Sequence, residues 1–186
     1  IEVGTKDIDA FIETVKNIAP TFGGINLEDI KAPESFEIER RLVEELNIPV
    51  MHDDQHGTAI ISSAALLNAL EIAKKKTTDV KIVVSGAGSA ALACANLYIL
   101  LGVKAENIIM FDKDGVLSSE RTDLSDLQKR YAHGKPETTL AEALVGADVF
   151  LGLSAGNIMS AEMLLGMAKN PIVFAMANPV PEIDYD

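Results

Sequence analysis

The sequence predicts an α/β fold in which a doubly wound parallel sheet follows the tail of another domain. From residue 80 onward, short β-branched runs alternate with helical segments, a pattern typical of a parallel sheet covered on both faces. The segments before residue 80 read as two helices and two short strands, followed by a longer helix. We expect residues 1–54 to close one domain and residues 55–186 to form the next.

Composition limits the class of protein and its partners. The 186 residues are 48% hydrophobic and 24% charged, which suits a folded chain with a sizeable core, and no apolar run approaches the roughly 18 residues of a membrane helix. A formal net charge of −12 argues against nucleic acid or an anionic membrane as a partner. A single cysteine, Cys94, and no secretory signal indicate a reducing, cytoplasmic compartment. Because the chain opens at Ile1 rather than Met, we expect it to be a piece of a longer protein.

Hydrophobic periodicity and helix-end signals place the elements of the first part. Apolar residues three and four apart predict the first helix, and Pro33 suits the first turn of the second. The expected order is a helix over 5–18, a short strand before Glu28, a helix from Pro33 to about Asn47, a strand over 48–51, a polar loop over 52–58 and a helix over 59–75.

The second part alternates strongly between strand and helix. Strands are expected at 80–85, 107–111, 148–152 and 172–176, with helices at about 88–101, 123–132, 138–145 and 160–168. Strand, crossover helix and parallel strand form right-handed units, which together build a doubly wound sheet.

A glycine-rich turn joins the first of these strands to its helix. The segment GAGSAA at 86–91 has the spacing G-x-G-x-x-A. Gly86 permits a tight turn, Gly88 allows close approach of a pyrophosphate and Ala91 allows close helix packing, so the phosphates would lie at the helix N-terminus. A merely tight strand-to-helix turn is the alternative. The predicted cofactor-binding residues here are Gly86, Ala87, Gly88, Ser89, Ala90 and Ala91.

An acidic residue follows the next strand. Asp112 lies 24 residues after Gly88, close to the position where a carboxylate accepts hydrogen bonds from an adenosine ribose. We therefore expect Asp112 to bind the cofactor and to favour NAD, because it would repel a 2′-phosphate. Lys113 beside it could offset that repulsion, which keeps NADP open, and an ordinary turn aspartate would give the same sequence.

Two pairs of adjacent carboxylates each follow a short apolar strand. Glu28 and Asp29 form the first pair, and Asp53 and Asp54 form the second. Mg²⁺ and Mn²⁺ take oxygen ligands of this kind, and a bound cation relieves the repulsion among gathered carboxylates. Solvated acidic loop ends would produce the same pattern, and composition does not decide between the two readings.

Five segments, in this order and at these intervals, closely resemble the bacterial-type branch of the malic enzymes. They are INLEDIKAPESFEIE, IPVMHDDQHGTA, GAGSAA, GADVFLGLSAGN and PIVFAMANPVPEI, and the resemblance extends from about Phe22 to Ile183. It implies that residues 1–54 are the C-terminal part of a catalytic domain. Residues 55–186 would then be a Rossmann-type NAD-binding domain, truncated at its C-terminus.

The resemblance also implies an activity and a set of site residues. Malic enzymes convert L-malate to pyruvate and CO₂ while reducing NAD(P)⁺, and they require Mg²⁺ or Mn²⁺. Their metal ligands match Glu28, Asp29 and Asp54. The neighbouring Asp53 would support the catalytic base, and Asn178 would lie beside the nicotinamide and the malate carboxylate.

Several expectations of the family find no match in this chain. The general-base Lys, the general-acid Tyr and a malate-binding Arg of malic enzymes precede the acidic pair, and residues 1–20 show no convincing counterpart. We therefore expect these 186 residues to be inactive by themselves and the whole enzyme to be a homo-oligomer. Two other functions stay open: the nicotinamide-binding domain of an amino-acid or folate dehydrogenase, and a non-enzymatic sensor of nicotinamide nucleotides.

Overall fold

The computed structural model describes residues 1–185. The chain divides into two compact units, the first over residues 1–58 and the second from residue 59 onward. The boundary expected from the sequence, after residue 54, lies slightly before this division.

The first unit contains two helices, two short parallel strands and the start of a long helix. Its elements are α1 Ile8–Ile18, a 3₁₀ turn Ala19–Thr21, β1 Ile25–Leu27, α2 Glu34–Glu45, β2 Val50–His52 and the first turns of α3 Asp53–Ala73. Strands β1 and β2 pair in parallel, with Ile25 opposite Val50 and Leu27 opposite His52. Because parallel strands end at the same edge, the segments that follow Leu27 and His52 start side by side.

The core of the first unit follows the helical periodicity of the sequence. Ile12 and Val15 of α1 pack with Leu27, Ile38 and Leu42, all at most 4% exposed. The helix predicted at 5–18 is confirmed, although it begins at residue 8 because the preceding aspartate caps it by accepting a 2.8 Å hydrogen bond from the Ala10 N–H.

The start of α3 differs from the prediction. The polar segment 52–58 was expected to be a loop, but the helix already begins at Asp53. Two acidic residues in the first turn, Asp53 and Asp54, favour that start because they face the positive end of the helix dipole. Although α3 has 21 residues, neither it nor any other helix within residues 1–185 is long and apolar enough to cross a membrane.

The second unit is built on a five-stranded sheet. Its elements are β3 Ile82–Ser85, α4 Ser89–Leu100, a 3₁₀ turn Ala105–Asn107, β4 Ile108–Asp112, β5 Gly115–Val116, α5 Asp126–Lys129, α6 Leu140–Leu144, β6 Val149–Gly152, α7 Ala161–Leu165 and β7 Ile172–Ala175. The strand order is β5-β4-β3-β6-β7, and every pair is parallel except β4 with β5. The four predicted strands are confirmed, and the short antiparallel β5 was not foreseen.

Side chains of the central strands alternate between two hydrophobic clusters. Ile82 and Val84 belong to one cluster together with α4, whereas Val83 and Phe150 belong to a second cluster with α6. All four residues of β3 and of β6 are buried. Both faces of the sheet are therefore covered, as expected for a doubly wound α/β fold.

The order of the strands defines where a ligand would bind. The chain passes from β3 to β4 on one side of the sheet and later returns to β6 on the other side of β3. The loops that leave the carboxyl ends of β3 and β6 therefore diverge, and ligands of open α/β sheets bind in the crevice at such a switch point. The glycine-rich turn follows β3 at this edge.

Replacement of Phe150 by Ala tests the packing of the second face. Phe150 is fully buried, and we expect Phe150→Ala to lower the free energy of unfolding by about 3–5 kcal/mol, measured by chemical denaturation. Leu165→Ala serves as the control, because Leu165 is 85% exposed and its truncation should cost less than about 0.5 kcal/mol. Equal effects of the two substitutions would contradict a sheet covered on both faces.

Candidate functional site

The protein itself requires glycine at position 86. Gly86 has a φ of +121°, and a Cβ built there would lie 2.6 Å from the carbonyl oxygen of Leu153. Its N–H donates a 2.8 Å hydrogen bond to the carbonyl of Phe111. The turn is thus pressed between the loop after β6 and the end of β4, where a side chain would be both strained and obstructed.

Nothing within the protein requires glycine at position 88. Its φ is an ordinary −82°, and a Cβ built on it meets no atom within 4 Å. Gly88 is the N-cap of the twelve-residue α4, and no side chain caps the helix there. The N-terminus of α4 thus has no side-chain cap, an arrangement that suits a ligand carrying negative charge.

The remaining residues of the turn divide between core and surface. Ala91 is 1% exposed and belongs to the core cluster, in agreement with its expected role in close helix packing. Ala87 is buried, and its carbonyl accepts a 3.2 Å hydrogen bond from Gln128 Nε2, a contact not foreseen from the sequence. Ser89 and Ala90 begin α4 and are half-buried.

Asp112 ends β4 and is paired with an arginine. Arg121 binds it through two parallel hydrogen bonds, Nη1 to Oδ1 and Nη2 to Oδ2, both of 2.8 Å. The N–H of Asp114 also donates to Asp112 Oδ1 at 2.8 Å. The sequence predicted that Asp112 repels a 2′-phosphate unless Lys113 compensates, whereas in the structure its charge is balanced by Arg121.

The pKa values of this pair follow from its geometry. Burial raises the pKa of Asp112, but the hydrogen bonds from Arg121 and from the Asp114 N–H outweigh burial and lower it overall. Hydrogen bonds to Asp123 and Asp112 raise the pKa of the Arg121 guanidinium. Lys113 pairs with Asp114 at 2.6 Å, so its ammonium is also engaged.

Three carboxylates cluster around Arg121. Ligand atoms of Asp112, Asp114 and Asp123 lie within 4.8 Å of one another, and no other such group of three occurs within the described part of the chain. Arg121 contacts Asp112 at 2.8 Å and Asp123 at 2.5 Å. The guanidinium thereby supplies the positive charge that a cation would bring, and we do not regard this cluster as a metal site.

The two acidic pairs of the first unit come together at one edge of its sheet. Glu28 and Asp29 follow β1, and Asp53 and Asp54 begin α3 directly after β2. The N–H of Asp29 donates a 3.2 Å hydrogen bond to Asp54 Oδ2, and Asp29 adopts a left-handed φ of 56°. Parallel pairing of the strands therefore brings the segment after β1 next to the start of α3, 25 residues later in the chain.

The segments that carry the three predicted metal ligands are adjacent, but their three carboxylates do not meet at one point. Among residues 1–185 the carboxylates of Glu28, Asp29 and Asp54 do not converge within 4.8 Å, and Glu28 Oε1 accepts a 2.9 Å hydrogen bond from Asn26 Nδ2. Glu28 and Asp29 are exposed, and the side chain of Asp54 is 49% exposed. Exposed carboxylate oxygens from two adjacent loop ends have the donor chemistry that Mg²⁺ and Mn²⁺ prefer.

A cavity of about 940 Å³ lies within the first unit beside the first acidic pair. Its lining includes Asn26, Glu28 and Asp29, and the rest of its wall is mostly apolar. Lys6 and Lys31 also line the cavity, so its wall carries both carboxylates and two lysine side chains. A cavity of this composition could admit a small polar molecule next to the acidic pair.

Glu39 of α2 anchors the start of α3. Its Oε1 accepts a 2.9 Å hydrogen bond from the His52 N–H and lies 2.9 Å from His56 Nε2, while its Oε2 lies 3.4 Å from Gln55 Nε2. The side chain of Glu39 is only 14% exposed. This contact explains why the polar segment is helical, and no local sequence signal identifies it. His52 Nε2 also lies 3.2 Å from the carbonyl oxygen of Ile30.

Asp53 lies against a glycine one helical turn away. A Cβ built on Gly57 would overlap Asp53 Oδ1 and lie 2.9 Å from Asp53 Cγ. Gly57 is inside α3, where glycine is otherwise unfavourable by roughly 0.5–1 kcal/mol relative to alanine. The helix thus retains glycine where the carboxylate of Asp53 occupies the space of a side chain.

Asn178 follows β7, and Asn157 lies in the loop after β6 with a left-handed φ of 60°. Both loops leave carboxyl ends of strands in the second unit. A buried carboxylate that the sequence analysis did not consider, Glu182, binds the N–H groups of Ser154 and Ala177 in these loops at 3.1 and 3.0 Å.

A doubly wound sheet with an uncapped helix behind a glycine turn defines a dinucleotide-binding α/β protein. The family model described as "Malic enzyme, NAD binding domain" matches residues 55–184, and that described as "Malic enzyme, N-terminal domain" matches residues 2–43. The chain belongs to the malic enzyme family.

Named relatives and solved structures agree with this membership. The NADP-dependent malic enzyme of Halomonas elongata is 53% identical over the whole chain, which covers 44% of that protein. The NAD-dependent malic enzyme of Rhizobium meliloti is 53% identical over 98% of the chain, which covers 24% of it. The crystal structure of the NAD-dependent malic enzyme from Thermotoga maritima matches 99% of the chain and 50% of its own, with 45% identity and a TM-score of 0.90. The chain thus spans less than half the length of these two sequence relatives.

Substitution of Gly57 separates the position of Asp53 from the stability of the helix. Gly57→Ala should stabilise α3 by up to about 1 kcal/mol in chemical denaturation, and its crystal structure should show the Asp53 carboxylate displaced from the position it holds against Gly57. Thr58→Ala in the same turn is the control and should leave Asp53 in place. An unmoved Asp53 carboxylate in Gly57→Ala would contradict the contact.

The Asp112–Arg121 pair gives stability a defined pH dependence. Because the folded-state pKa of Asp112 is lowered, its contribution is present above its ordinary value of about 3.9 and is lost as the pH falls through the lower folded value. We expect Asp112→Asn to lower the free energy of unfolding at pH 7 and to reduce its loss on acidification.

Denaturation of both proteins between pH 7 and pH 3 measures this difference. Asp126→Asn is the control, because Asp126 is 95% exposed in its pair with Lys129 and should change the pH profile little. Identical pH profiles for Asp112→Asn and the unsubstituted chain would refute the assignment.

Proposed function

We propose that this chain supplies the metal-binding and dinucleotide-binding parts of an enzyme that oxidises and decarboxylates L-malate to pyruvate and CO₂ with reduction of NAD(P)⁺. The proposal includes the boundary after residue 54, with residues 1–54 closing the catalytic domain and residues 55–186 binding the dinucleotide. A homo-oligomer and a cytoplasmic compartment remain expectations from the sequence.

One observation carries the proposal furthest. The hydrogen bond from the Asp29 N–H to Asp54 Oδ2 links the acidic segments that follow β1 and β2. The carboxylates of Glu28, Asp29 and Asp54 in these segments are exposed, and a cation bound between the segments would hold them together and offset their mutual repulsion. Because the chain belongs to the malic enzyme family, a divalent cation that chelates a hydroxy acid is the ion that best suits these oxygen donors.

Glu28, Asp29 and Asp54 would hold Mg²⁺ or Mn²⁺, an ion that withdraws electron density from the C2 oxygen of malate when bound. Asp53 would support the base that removes the hydroxyl proton, through a charge or hydrogen-bond contact. Since Asp53 is half-buried and lies against Gly57, its carboxylate would keep one orientation relative to the first turn of α3.

The second unit would hold the cofactor along the carboxyl edge of its sheet. The N-terminus of α4 and the turn from Gly86 to Ala91 would bind the pyrophosphate, and Asp112 would contact the adenosine ribose. Asn178 would donate from its amide to the nicotinamide or to the malate carboxylate without adding charge. Because Arg121 neutralises Asp112, the geometry is compatible with either NAD or NADP, and named relatives of both kinds occur.

Metal titration tests the assignment of the acidic pairs. We expect the chain to bind Mn²⁺ and Asp54→Asn to weaken the affinity at least about tenfold by calorimetry, because a charged oxygen ligand is removed. Asp114→Asn, in the cluster around Arg121, is the matched control and should leave the affinity unchanged. Equal affinity in the two variants would contradict the ligand set.

Turnover tests the reaction itself. The enzyme carrying these residues should form NADH or NADPH from L-malate only when Mg²⁺ or Mn²⁺ is present, followed by absorbance of the reduced nicotinamide. Reduction of the cofactor without release of CO₂, or no reduction with any of the four combinations of cofactor and metal, would contradict the proposed function.

A further inference from the structure

We propose that Glu182 is a positioning residue that fixes the two loops carrying Asn157 and Asn178 and thereby sets the nicotinamide end of the cofactor site. The inference rests on the proposed function, because it concerns how that site is held. Glu182 does not follow a strand directly and has no place among the residues assigned to metal, cofactor or substrate.

The carboxylate of Glu182 joins two loops through their backbones. Its Oε1 accepts a 3.1 Å hydrogen bond from the Ser154 N–H after β6, and its Oε2 accepts a 3.0 Å hydrogen bond from the Ala177 N–H after β7. Ala177 immediately precedes Asn178. One rigid group therefore sets the spacing between the two loops, with one oxygen for each loop.

The backbone around Glu182 reinforces this link. The N–H of Asn157 donates to the carbonyl of Pro181 at 2.9 Å, and the N–H of Met159 donates to the carbonyl of Glu182 at 2.9 Å. Asn157 thus retains its left-handed conformation between two anchored points, Ser154 and Met159.

The carboxylate of Glu182 is buried against the end of β6. Glu182 is 0% exposed, which is rare for a carboxylate unless its oxygens are satisfied. A Cβ built on Gly152, the last residue of β6, would overlap the Glu182 carboxyl group and lie 2.5 Å from its Oε1. Glycine at this position leaves the space that Glu182 fills.

A short chain of contacts connects Glu182 to the glycine turn. Ser154, whose N–H it binds, places its hydroxyl 2.8 Å from the hydroxyl of Ser85 at the end of β3. The N–H of Leu153 donates to the Ser85 carbonyl at 2.8 Å, and the Leu153 carbonyl lies against Gly86. Glu182 is therefore linked to the loops after β6 and β7 directly and to the end of β3 through Ser154.

Substitution of Glu182 by Gln should disturb the loops while keeping the side-chain volume. The amide retains one acceptor oxygen but turns an NH₂ group toward the second N–H donor, so one loop loses its anchor. We expect kcat/KM for malate oxidation to fall roughly ten- to a hundredfold, with an increased KM for the nicotinamide cofactor.

Asp148→Asn is the matched control. Asp148 also accepts a backbone N–H, that of Lys81 at 2.9 Å, and pairs with Lys75, but it precedes β6 at the opposite edge of the sheet. We expect this variant to lose thermal stability while kcat and KM stay within about twofold of the unsubstituted enzyme. The contrast separates a positioning role from a general stabilising one.

A double-substitution cycle tests whether Glu182 acts through Asn178. In the Asn178→Ala background, Glu182→Gln should lower kcat/KM by less than about threefold, since the group it positions is already missing. If Glu182→Gln does not fold, Gly152→Ala, which displaces the same carboxylate, should give the same kinetic change and the same loss of additivity.

The outcomes distinguish this inference from the proposed function. An unsubstituted enzyme that forms no NAD(P)H from malate would overturn the function itself. An active enzyme in which Glu182→Gln changes stability alone, or in which its kinetic effect adds fully to that of Asn178→Ala, would overturn only the positioning role. A shared kinetic loss that disappears in the Asn178→Ala background supports it.

Discussion

Hydrogen bonds from backbone N–H groups to carboxylates hold the loops on which every candidate site depends. Glu39 receives the His52 N–H at the start of α3, Asp54 receives that of Asp29, and Glu182 receives two from the loops after β6 and β7. A carboxylate offers two oxygens and binds N–H donors more strongly than a neutral acceptor does. In a chain with 28 acidic residues, part of the negative charge therefore has a structural purpose: it fixes loops that have too few contacts to fix themselves.

The carboxylates of this chain differ in whether their charge has a partner within the fold. Asp112 is neutralised by Arg121, and Glu39 and Glu182 are each satisfied by donors, so their charges are compensated within the fold. The exposed carboxylates after β1 and at the start of α3 are different, because a single backbone N–H links Asp29 to Asp54 and the carboxylates stay open to solvent. A bound cation would hold these two segments together, so metal binding at this edge would also stabilise the first unit.

The sequence predicts local structure well where a signal lies within one element. The four main strands were foreseen because β-branched runs are bounded by turns, and the glycine turn was foreseen because its spacing is local. Contacts across the chain were missed: Glu39 is 13 residues from His52, and Glu182 is 28 residues from Ser154. The start of α3 was misplaced for a related reason: Asp53 and Asp54 favour a helix start locally, but the contact with Glu39 that anchors this turn is not visible in the local sequence. Arg121 was missed although only nine residues separate it from Asp112, because the turn between them brings the two together.

The glycines near the candidate sites differ in what surrounds them. At Gly57 and Gly152 a side chain would collide with a carboxylate, and at Gly86 it would collide with Leu153, so the fold itself accounts for all three. At Gly88 a side chain would touch nothing in the protein, and the backbone conformation is ordinary. Folding alone gives no reason for glycine there, whereas a pyrophosphate at the uncapped end of α4 would need the missing Cβ in order to approach the N–H groups. Gly88 is therefore a position where a bound dinucleotide, rather than packing within the protein, would account for glycine.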